Sequence, residues 1–382
     1  MFRVYEASGR LDKRQISYRG NNVFEPIEDV QATLFTPDIC KKRLQDIIFS
    51  EHFRHLHIID NLVFLATVEY FSSIGAQWCN LPLTTLMISS PGEVYQGKIL
   101  DYNTDSLPIQ IDWFDLNRKV FLSESSQFYL ELRLLQENVE MVFSIYNSFR
   151  KEKADFSHLS EFQHIEFEGK IGYEENIKIA FDILKFITNK IISSAPKSLK
   201  YFLSEDEVEM LSTTFEYRNL ARISFKEALH ALYVDTSDER YKKFSLEHFG
   251  AWEEVRLTQI FNAHIILEEF PLLQTSFYHN ELRKDEHGIP LSESADLILM
   301  GFREVIGSGV RIQNYEALLE KASIFNLPKD DYYPYLEMRK LNPYQKTSGF
   351  GLGWQRYTQW LLKLPYIWDA VHIPRGHILP AP

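Results

Sequence analysis

The sequence predicts an α+β fold in which helices flank a largely antiparallel sheet, and three observations lead to this prediction. Runs of β-type residues follow one another between residues 81 and 172, separated by Gly, Pro, Asp and Asn. Amphipathic runs with helical spacing lie before and after them, at residues 38–76 and 174–220. The 382 residues are 45% hydrophobic and 14% aromatic, which is ample for a large packed core.

The predicted elements begin with a polar N-terminal extension, residues 1–42, which has short β-type runs and is too short for an independent five-stranded barrel. Apolar residues then recur at spacings of three and four, which predicts one long amphipathic helix that ends near Gly75. Strands are predicted at residues 81–89, 108–116, 118–125, 139–149 and 163–172. Two helical patterns follow, so we expect one domain over residues 43–382 with a helical insertion around 172–225.

Charge, cysteine content and hydropathy limit the class of protein. The net charge of −12, from 41 basic and 53 acidic residues, argues against a surface built mainly to hold a polyanion, although a local basic patch is compatible with it. Cys40 and Cys79 are too few for a disulfide framework, so we expect small buried side chains in a reducing, cytoplasmic setting. We find no secretory leader and no run of about 18 apolar residues, and therefore expect no membrane span.

Polar residues interrupt the apolar pattern in the predicted hairpin of residues 142–168, VFSIYNSFRKEKADFSHLSEFQHIEFE. Arg150 and Glu152 are two apart, so we expect them to share one face of the first strand. His158 and Phe162 follow where the returning strand begins. An arginine fork, a carboxylate, an imidazole and an aromatic ring could hold phosphates, an amine and a flat base. For this segment alone, a solvated charged hairpin is an equally good interpretation.

Two further segments carry candidate site residues. In SADLILMGFREVIGSGVRIQN, Asp296 and Glu304 lie among apolar residues across a predicted strand and turn, and two buried carboxylates favour a divalent cation. An ordinary hairpin with surface carboxylates would fit the same pattern. In SGFGLGWQRYTQWLL, glycines allow a ligand to approach the backbone, and Arg356 at the start of a helix could lie over a base or phosphate. The alternative is a loop before a buried helix.

The order and content of these segments resemble the catalytic domain of class II aminoacyl-tRNA synthetases, in the asparaginyl and aspartyl subgroup. EYFSSIGAQWCNLPLTT resembles motif 1, with Pro82 at its proline, FSIYNSFRKEKADFSHLSEF resembles motif 2, and GFGLGWQRYTQWLL resembles motif 3. FLSESSQFYLE is similar to the family's substrate strand, and EVIGSGVRI to its glycine turn before the side-chain-reading arginine. The similarity covers roughly residues 43–380 and implies the class II antiparallel sheet flanked by helices.

The resemblance implies an ATP site built from motifs 2 and 3. Arg150 would bind the α-phosphate and the substrate carboxylate, and would offset the charge that builds during attack on phosphorus. Glu152 would accept from the adenine amino group, while Phe162 and Arg356 would cover the two sides of the base. His158 would reach the far phosphates. Arg150 and Arg356 are therefore the expected catalytic residues.

The resemblance also implies a metal site and an amino-acid site. Asp296 and Glu304 would hold Mg²⁺ that bridges the ATP phosphates and stabilises the departing pyrophosphate. Gln127, together with Glu93 of SPGEVY, would hold the substrate ammonium. The expected product is an aminoacyl-adenylate, made by an AMP-forming ligase.

Side-chain selection is predicted from three positions. Aspartyl enzymes place a lysine where this chain has Leu130, so a substrate carboxylate would lack that countercharge here. Asparaginyl enzymes place a glutamate at Glu131, which could accept from an amide NH₂ while Arg311 donates to the amide oxygen. An additional buried anion beside Glu131 would be unfavourable, so we expect asparagine to be preferred over aspartate.

Departures from the family pattern bear on what accepts the acyl group. The motif 2 loop is one residue short, Ser157 stands where an arginine usually precedes His158, and Gln355 stands where motif 3 usually has glutamate. No segment resembles the N-terminal barrel that reads the anticodon. We therefore expect transfer to a non-tRNA acceptor, such as ammonia or another amine. A truncated asparagine–tRNA ligase and an inactive binding paralogue remain open as alternative functions.

Because motif 1 forms the family's dimer interface, we also expect a homodimer.

Overall fold

The computed structural model describes residues 2–4, 16–18, 21–24, 37–89, 108–114, 116–151, 156–341 and 343–376. The strands are β1 (Phe2–Val4), β2 (Ile16–Tyr18), β3 (Asn21–Phe24), β4 (Gln77–Trp78), β5 (Thr84–Thr85), β6 (Gln110–Ile111), β7 (Val120–Leu122), β8 (Met141–Phe149), β9 (Glu161–Gly169), β10 (Leu220–Ser224), β11 (His264–Glu268), β12 (Glu281–Lys284), β13 (Pro290–Ser292), β14 (Ser294–Ile298), β15 (Glu304–Val310) and β16 (Ser348–Gly353). The α-helices are α1 (Pro37–Phe49), α2 (Glu51–Ser73), α3 (Gln127–Arg133), α4 (Tyr173–Ser194), α5 (Pro196–Phe202), α6 (Glu205–Thr214), α7 (Phe225–Thr236), α8 (Ala251–Phe261), α9 (Tyr315–Ile324), α10 (Lys329–Glu337) and α11 (Trp354–Leu361).

The main sheet has eight strands in the order β10-β11-β14-β15-β16-β9-β8-β4. Its five central pairings, from β11 to β8, are antiparallel, and the outermost pairs β10–β11 and β4–β8 are parallel. Three smaller sheets join β1-β2-β3, β5-β7-β6 and β12-β13. The α+β class predicted from the sequence, with its antiparallel sheet, is confirmed.

One face of the main sheet packs against helices α2 and α4 through aromatic side chains. Phe71 of α2 stacks at 4.7 Å on Phe143 of β8 and at 5.4 Å on Phe167 of β9, measured between ring centres. Phe350 of β16 stacks at 5.3 Å on Phe167 in the same buried cluster. Because side chains alternate between faces along a strand, the neighbouring residues of β9 and β16 point to the opposite face, where the site lies.

The long helix predicted up to Gly75 is divided in two. Ser50 has extended backbone angles (φ −86°, ψ 144°), and its hydroxyl accepts from the Phe53 amide as the cap of α2. The predicted end is correct, because Gly75 follows α2 with φ +84°, a conformation that glycine adopts readily. Regular spacing of apolar residues could not predict the break, since both helices continue the same pattern.

Two segments near the site have different secondary structure from the prediction. The substrate strand expected in FLSESSQFYLE ends at Leu122, and helix α3 begins at Gln127. The glycine-rich segment considered as a loop is strand β16, at the centre of the main sheet.

The predicted domain boundary at residue 42 and the predicted helical insertion around 172–225 stay predictions. Strand β10 lies within the latter range and pairs with β11 in the main sheet. Among the described residues, no helix has the length and apolar character needed to cross a membrane.

Candidate active site

A floor of glycines runs along β16 beside polar side chains of β9. The paired positions are Gly349–Glu168, Gly351–Glu166 and Gly353–His164. Paired residues on adjacent strands point to the same face, so these polar groups lie beside the glycines. A Cβ at Gly349 would collide with the Phe167 carbonyl oxygen and with the side chains of Glu168 and Gln127, whereas one at Gly351 would make only ordinary contacts, the nearest at 3.6 Å to Glu166. Gly351 therefore leaves room for a ligand on this face, whereas the space over Gly349 is already filled by protein atoms.

The described residues that we predicted to bind ATP surround one cavity of about 120 Å³, which Gly351 and Gly353 also line. These residues are Arg150, His158, Phe162, Glu304 and Arg356. The Arg150 guanidinium carbon lies 5.3 Å from the centre of the Phe162 ring, and this ring meets His164 edge-on at 4.8 Å. Burial, and then the charges of Arg150 and Arg356, hold the pKa of His164 well below its usual value. His164 is therefore neutral and adds no charge to the cavity.

Two arginines converge on His158 at one end of this cavity. Arg356 Nη2 lies 2.8 Å and Arg303 Nη1 lies 3.2 Å from His158 Nε2. Guanidinium groups only donate hydrogen bonds, so Nε2 is the acceptor in both contacts. The same arginines donate to Ser157, Arg303 Nη1 to its hydroxyl at 2.8 Å and Arg356 Nε to its carbonyl at 3.3 Å.

Glu254 of α8 fixes the start of β15 and balances part of this positive charge. It accepts from Arg303 Nε at 3.0 Å and from the Glu304 amide at 3.1 Å. Burial alone would raise the pKa of Glu254, but the charge and hydrogen bond of Arg303, followed by the charge of Arg356, outweigh it and hold this pKa below its usual value. Glu254 is therefore ionised and holds the Arg303 side chain and the Glu304 backbone in place.

Asp296 and Glu304 face each other across the β14–β15 hairpin. Asp296 is paired with Gly307, and a Cβ at Gly307 would lie 2.9 Å from Glu304 Oε1 and 3.6 Å from Asp296 Oδ1. Burial, and then the charges of Glu304 and Glu254, raise the pKa of Asp296 well above its usual value. Two crowded carboxylates fit Mg²⁺, which commonly uses one or two carboxylates together with substrate phosphates. Among the described residues no group of three or more His, Cys, Asp and Glu could hold a metal ion, and two carboxylates would leave most coordination positions of Mg²⁺ to water or to ligand oxygens.

A second polar centre, fully buried, lies at the other end of the floor. Arg311 donates to Glu168, with Nη2 2.8 Å from Oε2 and Nε 3.1 Å from Oε1. Glu168 also accepts from the Thr347 hydroxyl at 2.7 Å and from the Gln127 amide, whose NH₂ further donates to the Phe167 carbonyl. The charge of Arg311 is thus matched by a carboxylate before any ligand binds.

Glu131 belongs to a neighbouring pair rather than to Arg311. Its Oε2 accepts from Arg339 Nη2 at 2.8 Å and its Oε1 from the Tyr335 hydroxyl at 2.6 Å, whereas Arg311 Nε approaches Oε1 only to 4.0 Å. Arg339 lies against the Tyr335 ring, with 4.1 Å from guanidinium carbon to ring centre. The structure therefore gives Arg311 a closer carboxylate partner, Glu168, than the one that we predicted.

Glu166 lies on the floor between the two polar centres. Its Oε1 accepts from the Ser125 hydroxyl at 2.6 Å, and its Oε2 is buried and accepts no hydrogen bond from the described residues. Burial raises the pKa of Glu166 to about 7, although the hydrogen bond from Ser125 and then that from Tyr146 oppose this. A buried carboxylate oxygen that lacks a donor is a good receptor for a positively charged ligand group.

Comparison with known proteins assigns the family. A model described as tRNA synthetases class II (D, K and N) matches residues 100–377. The chain therefore belongs to this family. Membership confirms the predicted class II fold and the class of ATP-dependent, adenylate-forming enzyme.

The relatives of this class II synthetase include asparagine–tRNA ligases. That of Clostridium kluyveri is 26% identical over 380 residues, 96% of this chain and 80% of the relative. That of Pyrococcus abyssi is 30% identical over 269 residues, 70% of this chain, and the matched part is 58% of the relative's length. Among solved structures, the asparaginyl-tRNA synthetase of Pyrococcus horikoshii complexed with asparaginyl-adenylate has a TM-score of 0.76 and 23% identity, and covers 96% of this chain and 79% of its own.

Two predicted site residues of this synthetase, Glu93 and Glu152, lie outside the described residues. Arg150 and His158 lie in the turn between β8 and β9 rather than on the strands, which end at Phe149 and begin at Glu161. The other predicted residues lie at the cavity lined by Arg150 and Arg356, at the buried centre around Arg311, or between the two. Their binding roles stay predictions.

Sequence reasoning missed Glu166, Glu168, Arg303 and Arg339. An indication of the first two was available, because HIEFE alternates polar and apolar residues and so places two carboxylates on one face of a strand. The partners of Arg303 and Arg339 depend on contacts between residues far apart in the sequence, which no local pattern specifies.

Proposed function

We propose that this synthetase activates asparagine with ATP and transfers the asparaginyl group to tRNA. The asparagine carboxylate attacks the α-phosphorus of ATP, and pyrophosphate leaves with the bridging oxygen. A tRNA hydroxyl then attacks the carbonyl carbon of the adenylate, AMP leaves, and the hydroxyl proton is lost to solvent. The observation that carries this proposal is the fully buried, charge-matched pair of Arg311 and Glu168.

The amide of asparagine suits this pair better than a carboxylate does. Arg311 can donate to the amide oxygen while Glu168 accepts from the amide NH₂. Arg311 and Arg339 already have the carboxylates of Glu168 and Glu131 as partners, so a second carboxylate in the ligand would be an unmatched buried anion. Leu130, where aspartyl enzymes have a lysine, is buried in an apolar cluster with Cys79 and offers no countercharge.

Glu166, Gln127 and Arg150 would hold the α-ammonium and α-carboxylate groups of asparagine. Glu166 Oε2 and Gln127 Oε1 are acceptors for the substrate ammonium. The amide NH₂ of Gln127 is already committed to Phe167 and Glu168, which fixes the direction of its oxygen. Arg150, at the ATP end of the floor, would contact the substrate carboxylate together with the α-phosphate.

ATP would occupy the cavity between Phe162 and Arg356. Phe162 supports the base, while Arg150 offsets the negative charge that develops on the α-phosphate as the carboxylate attacks. Asp296 and Glu304 would hold Mg²⁺, which when bound supplies Lewis-acid stabilisation of the pyrophosphate leaving group. The arginines are already oriented by protein contacts, so little reorganisation is needed when ATP binds.

The relatives support tRNA as the acceptor rather than the ammonia or other amine that we expected. The similar proteins from Clostridium kluyveri and Pyrococcus abyssi are both named asparagine–tRNA ligases. The acidic net charge of −12 does not oppose tRNA binding by itself, because acceptor-end contact needs only a local basic surface.

We further propose that α2 forms a homodimer interface with a second copy of the chain. Its inner residues Leu56, Ile59 and Val63 are fully buried, yet Phe64 and Leu65 on the same helix remain 45% and 48% exposed. Such apolar exposure on an otherwise amphipathic helix indicates a partner. Sedimentation at micromolar concentration should give a dimer, and the variant F64E/L65E a monomer; a monomeric wild type would contradict the proposal.

The proposed activity is tested by ATP–pyrophosphate exchange with each amino acid, followed by charging of total tRNA. We expect exchange with asparagine and acid-labile asparaginyl-tRNA as the product. Exchange with asparagine but no charged tRNA would rule out tRNA as the acceptor and would still support formation of the adenylate. Absence of exchange with every amino acid would overturn both.

A further inference from the structure

A buried lysine of helix α9 contacts a turn that lies beside Arg311. The Lys321 side chain is buried, and its Nζ lies 2.9 Å from the carbonyl oxygen of His279 and 3.5 Å from that of Ser276. We propose that Lys321 is a positioning residue for amino-acid recognition, which holds the turn of residues 276–279 and through this turn fixes Arg311. The proposal rests on the proposed activation of asparagine and assigns a further residue to its selection.

Lys321 holds the turn of residues 276–279 at both of its ends. The His279 amide donates to the Ser276 carbonyl oxygen at 3.0 Å, which closes a β-turn. Lys321 donates to the carbonyl oxygens of the same two residues. One amino group thus bridges the first and the last residue of the turn, so its removal would loosen the turn where the chain leaves it.

The end of this turn pairs with the backbone around Arg311. His279 lies opposite Arg311 in an antiparallel bridge. Two backbone hydrogen bonds flank the bridge, from the Ile312 amide to the Tyr278 carbonyl oxygen at 3.0 Å and from the Asn280 amide to the Val310 carbonyl oxygen at 2.8 Å. The position of the turn therefore sets the position of the Arg311 backbone.

Two side chains of the turn also lie against the site. The Arg311 guanidinium carbon is 5.1 Å from the centre of the Tyr278 ring. His279 lies so close to β15 that a Cβ at Gly309 would be 2.6 Å from its Nε2. Burial, and then the charges of Arg311 and Lys321, hold the pKa of His279 well below its usual value, so this ring is neutral. A shift of the turn would therefore move both the backbone of Arg311 and the ring that its guanidinium contacts.

The N–H donors of Lys321, rather than its charge, perform this role. Burial lowers the pKa of Lys321 to about 7, against the charge of Glu281, so the ammonium and the neutral amine are both present near pH 7. Both forms have N–H groups that can donate to carbonyl oxygens. The contact with the turn therefore persists on both sides of pH 7, and glutamine, which has N–H donors and no charge, is the matched substitution.

The test is ATP–pyrophosphate exchange by the full chain at varied asparagine concentration. Lys321→Met has a similar volume and no donor, so we expect KM for asparagine to rise at least about tenfold and kcat to stay within about threefold, because a displaced Arg311 binds the substrate less well. The Kd for ATP, measured by calorimetry without amino acid, should stay within about threefold. A purely structural role would lower the folded fraction, and hence the apparent kcat, at unchanged KM. Unchanged KM would overturn the proposal.

Two comparison variants distinguish loss of the donor from loss of stability. Ala322→Gly weakens the same helix and leaves Lys321 in place, so we expect a lower melting temperature and an unchanged KM. Lys321→Gln keeps an N–H donor, and we expect its rise in KM to be at least about threefold smaller than that of Lys321→Met. Equal rises in KM in Lys321→Gln and Lys321→Met, or the same rise in Ala322→Gly, would contradict a role through these hydrogen bonds.

A further variant reaches Arg311 through the same turn without altering Lys321. Tyr278→Leu removes the ring beside the guanidinium and keeps an apolar side chain, so we expect KM for asparagine to rise at least about tenfold. In Tyr278→Leu/Lys321→Met, KM should exceed that of the more affected single variant by no more than about threefold, because both act through one turn. Effects that multiply would contradict the proposal. Unchanged KM in Tyr278→Leu would overturn it even if Lys321→Met does not fold.

The outcomes separate this proposal from the proposed function. Exchange with asparagine in the wild type, together with unchanged KM in Lys321→Met, would refute only the role of Lys321. Exchange with a different amino acid would overturn asparagine as the substrate, while a rise in KM for that amino acid in Lys321→Met would still support the role of Lys321. Absence of exchange with every amino acid would overturn both proposals.

Discussion

Arg311 and Glu168 form a buried ion pair, with 2.8 Å between Nη2 and Oε2, at the end of the glycine floor farthest from the cavity lined by Phe162 and Arg356. Both side chains are at most 3% exposed, and the pair comes from β9 and the residue that follows β15. A neutral amide can bind to both partners, whereas a carboxylate would meet the negative charge of Glu168. In the proposed function, substrate choice would thus depend on which charges the protein has already matched.

Removal of the Glu168 charge should change substrate preference. In Glu168→Gln the positive charge of Arg311 lacks its nearest partner, so we expect the asparagine-to-aspartate ratio of kcat/KM in pyrophosphate exchange to fall at least about 30-fold. Thr347→Val is the matched control, because it removes one hydrogen bond to Glu168 and leaves every charge in place. An unchanged ratio in Glu168→Gln would contradict the assigned role of the pair.

Two glycines of β16 should respond differently to the same substitution. At Gly351 an alanine methyl meets only ordinary contacts, so the melting temperature should hardly change, but the methyl occupies the floor and should reduce exchange at least about tenfold. At Gly349 the methyl collides with the Phe167 carbonyl oxygen, so we expect unfolding to become easier by about 3 kcal/mol or more. Urea unfolding and ATP–pyrophosphate exchange of both variants test this contrast. Full activity in Gly351→Ala would show that no ligand lies on this glycine.

Asparagine affinity should depend on pH through Glu166. Burial raises its pKa to about 7, and the substrate ammonium requires the ionised form, so below pH 7 a proton must be lost before asparagine binds. We expect KM for asparagine to approach a tenfold rise per pH unit well below 7 and to change by only about twofold between pH 7 and 8. Glu166→Gln should have a higher KM with no such dependence. A wild-type KM that stays constant from pH 5.5 to 8 would show that Glu166 does not bind the ammonium.

The unusual glutamine of motif 3 should tolerate replacement by glutamate. Gln355 Oε1 accepts from the Gln163 backbone amide at 2.8 Å, and its NH₂ donates to the Gln163 side-chain oxygen at 3.1 Å. In Gln355→Glu the first bond persists, and the half-buried Gln163 amide can turn to donate the second. We expect the rate of ATP–pyrophosphate exchange to stay within about threefold of the wild-type rate. A loss of 100-fold would mean that the neutral amide at 355 serves the reaction itself.

The sequence predicted the parts of this site that are local in the chain. Strands β8 and β9, the β14–β15 hairpin and helix α11 each have a clear apolar period, and the residues at their ends could be assigned from motif order. Arg150 and Phe162 of one hairpin and Arg356 of a distant helix accordingly line one cavity in the structure. The break at Ser50 was not predictable, since one capping residue interrupts a spacing that continues on both sides.

The partners of charged residues were harder to predict than their positions. Arg311 has two glutamates within 4.0 Å, and the choice between them follows from the register of β9 against β16, which places Glu168 beside Gly349. Arg339 takes the other glutamate from a segment 208 residues away. Sequence spacing specifies which face a side chain occupies but not which distant charge it meets.

The central claim is that a charge-matched pocket selects asparagine, and parallel measurement of ATP–pyrophosphate exchange with asparagine and with aspartate tests it most directly. We expect asparagine to have the higher kcat/KM by at least about 100-fold, because aspartate would bring an unmatched carboxylate against Glu168. Equal exchange with the two amino acids, or a preference for aspartate, would contradict the account.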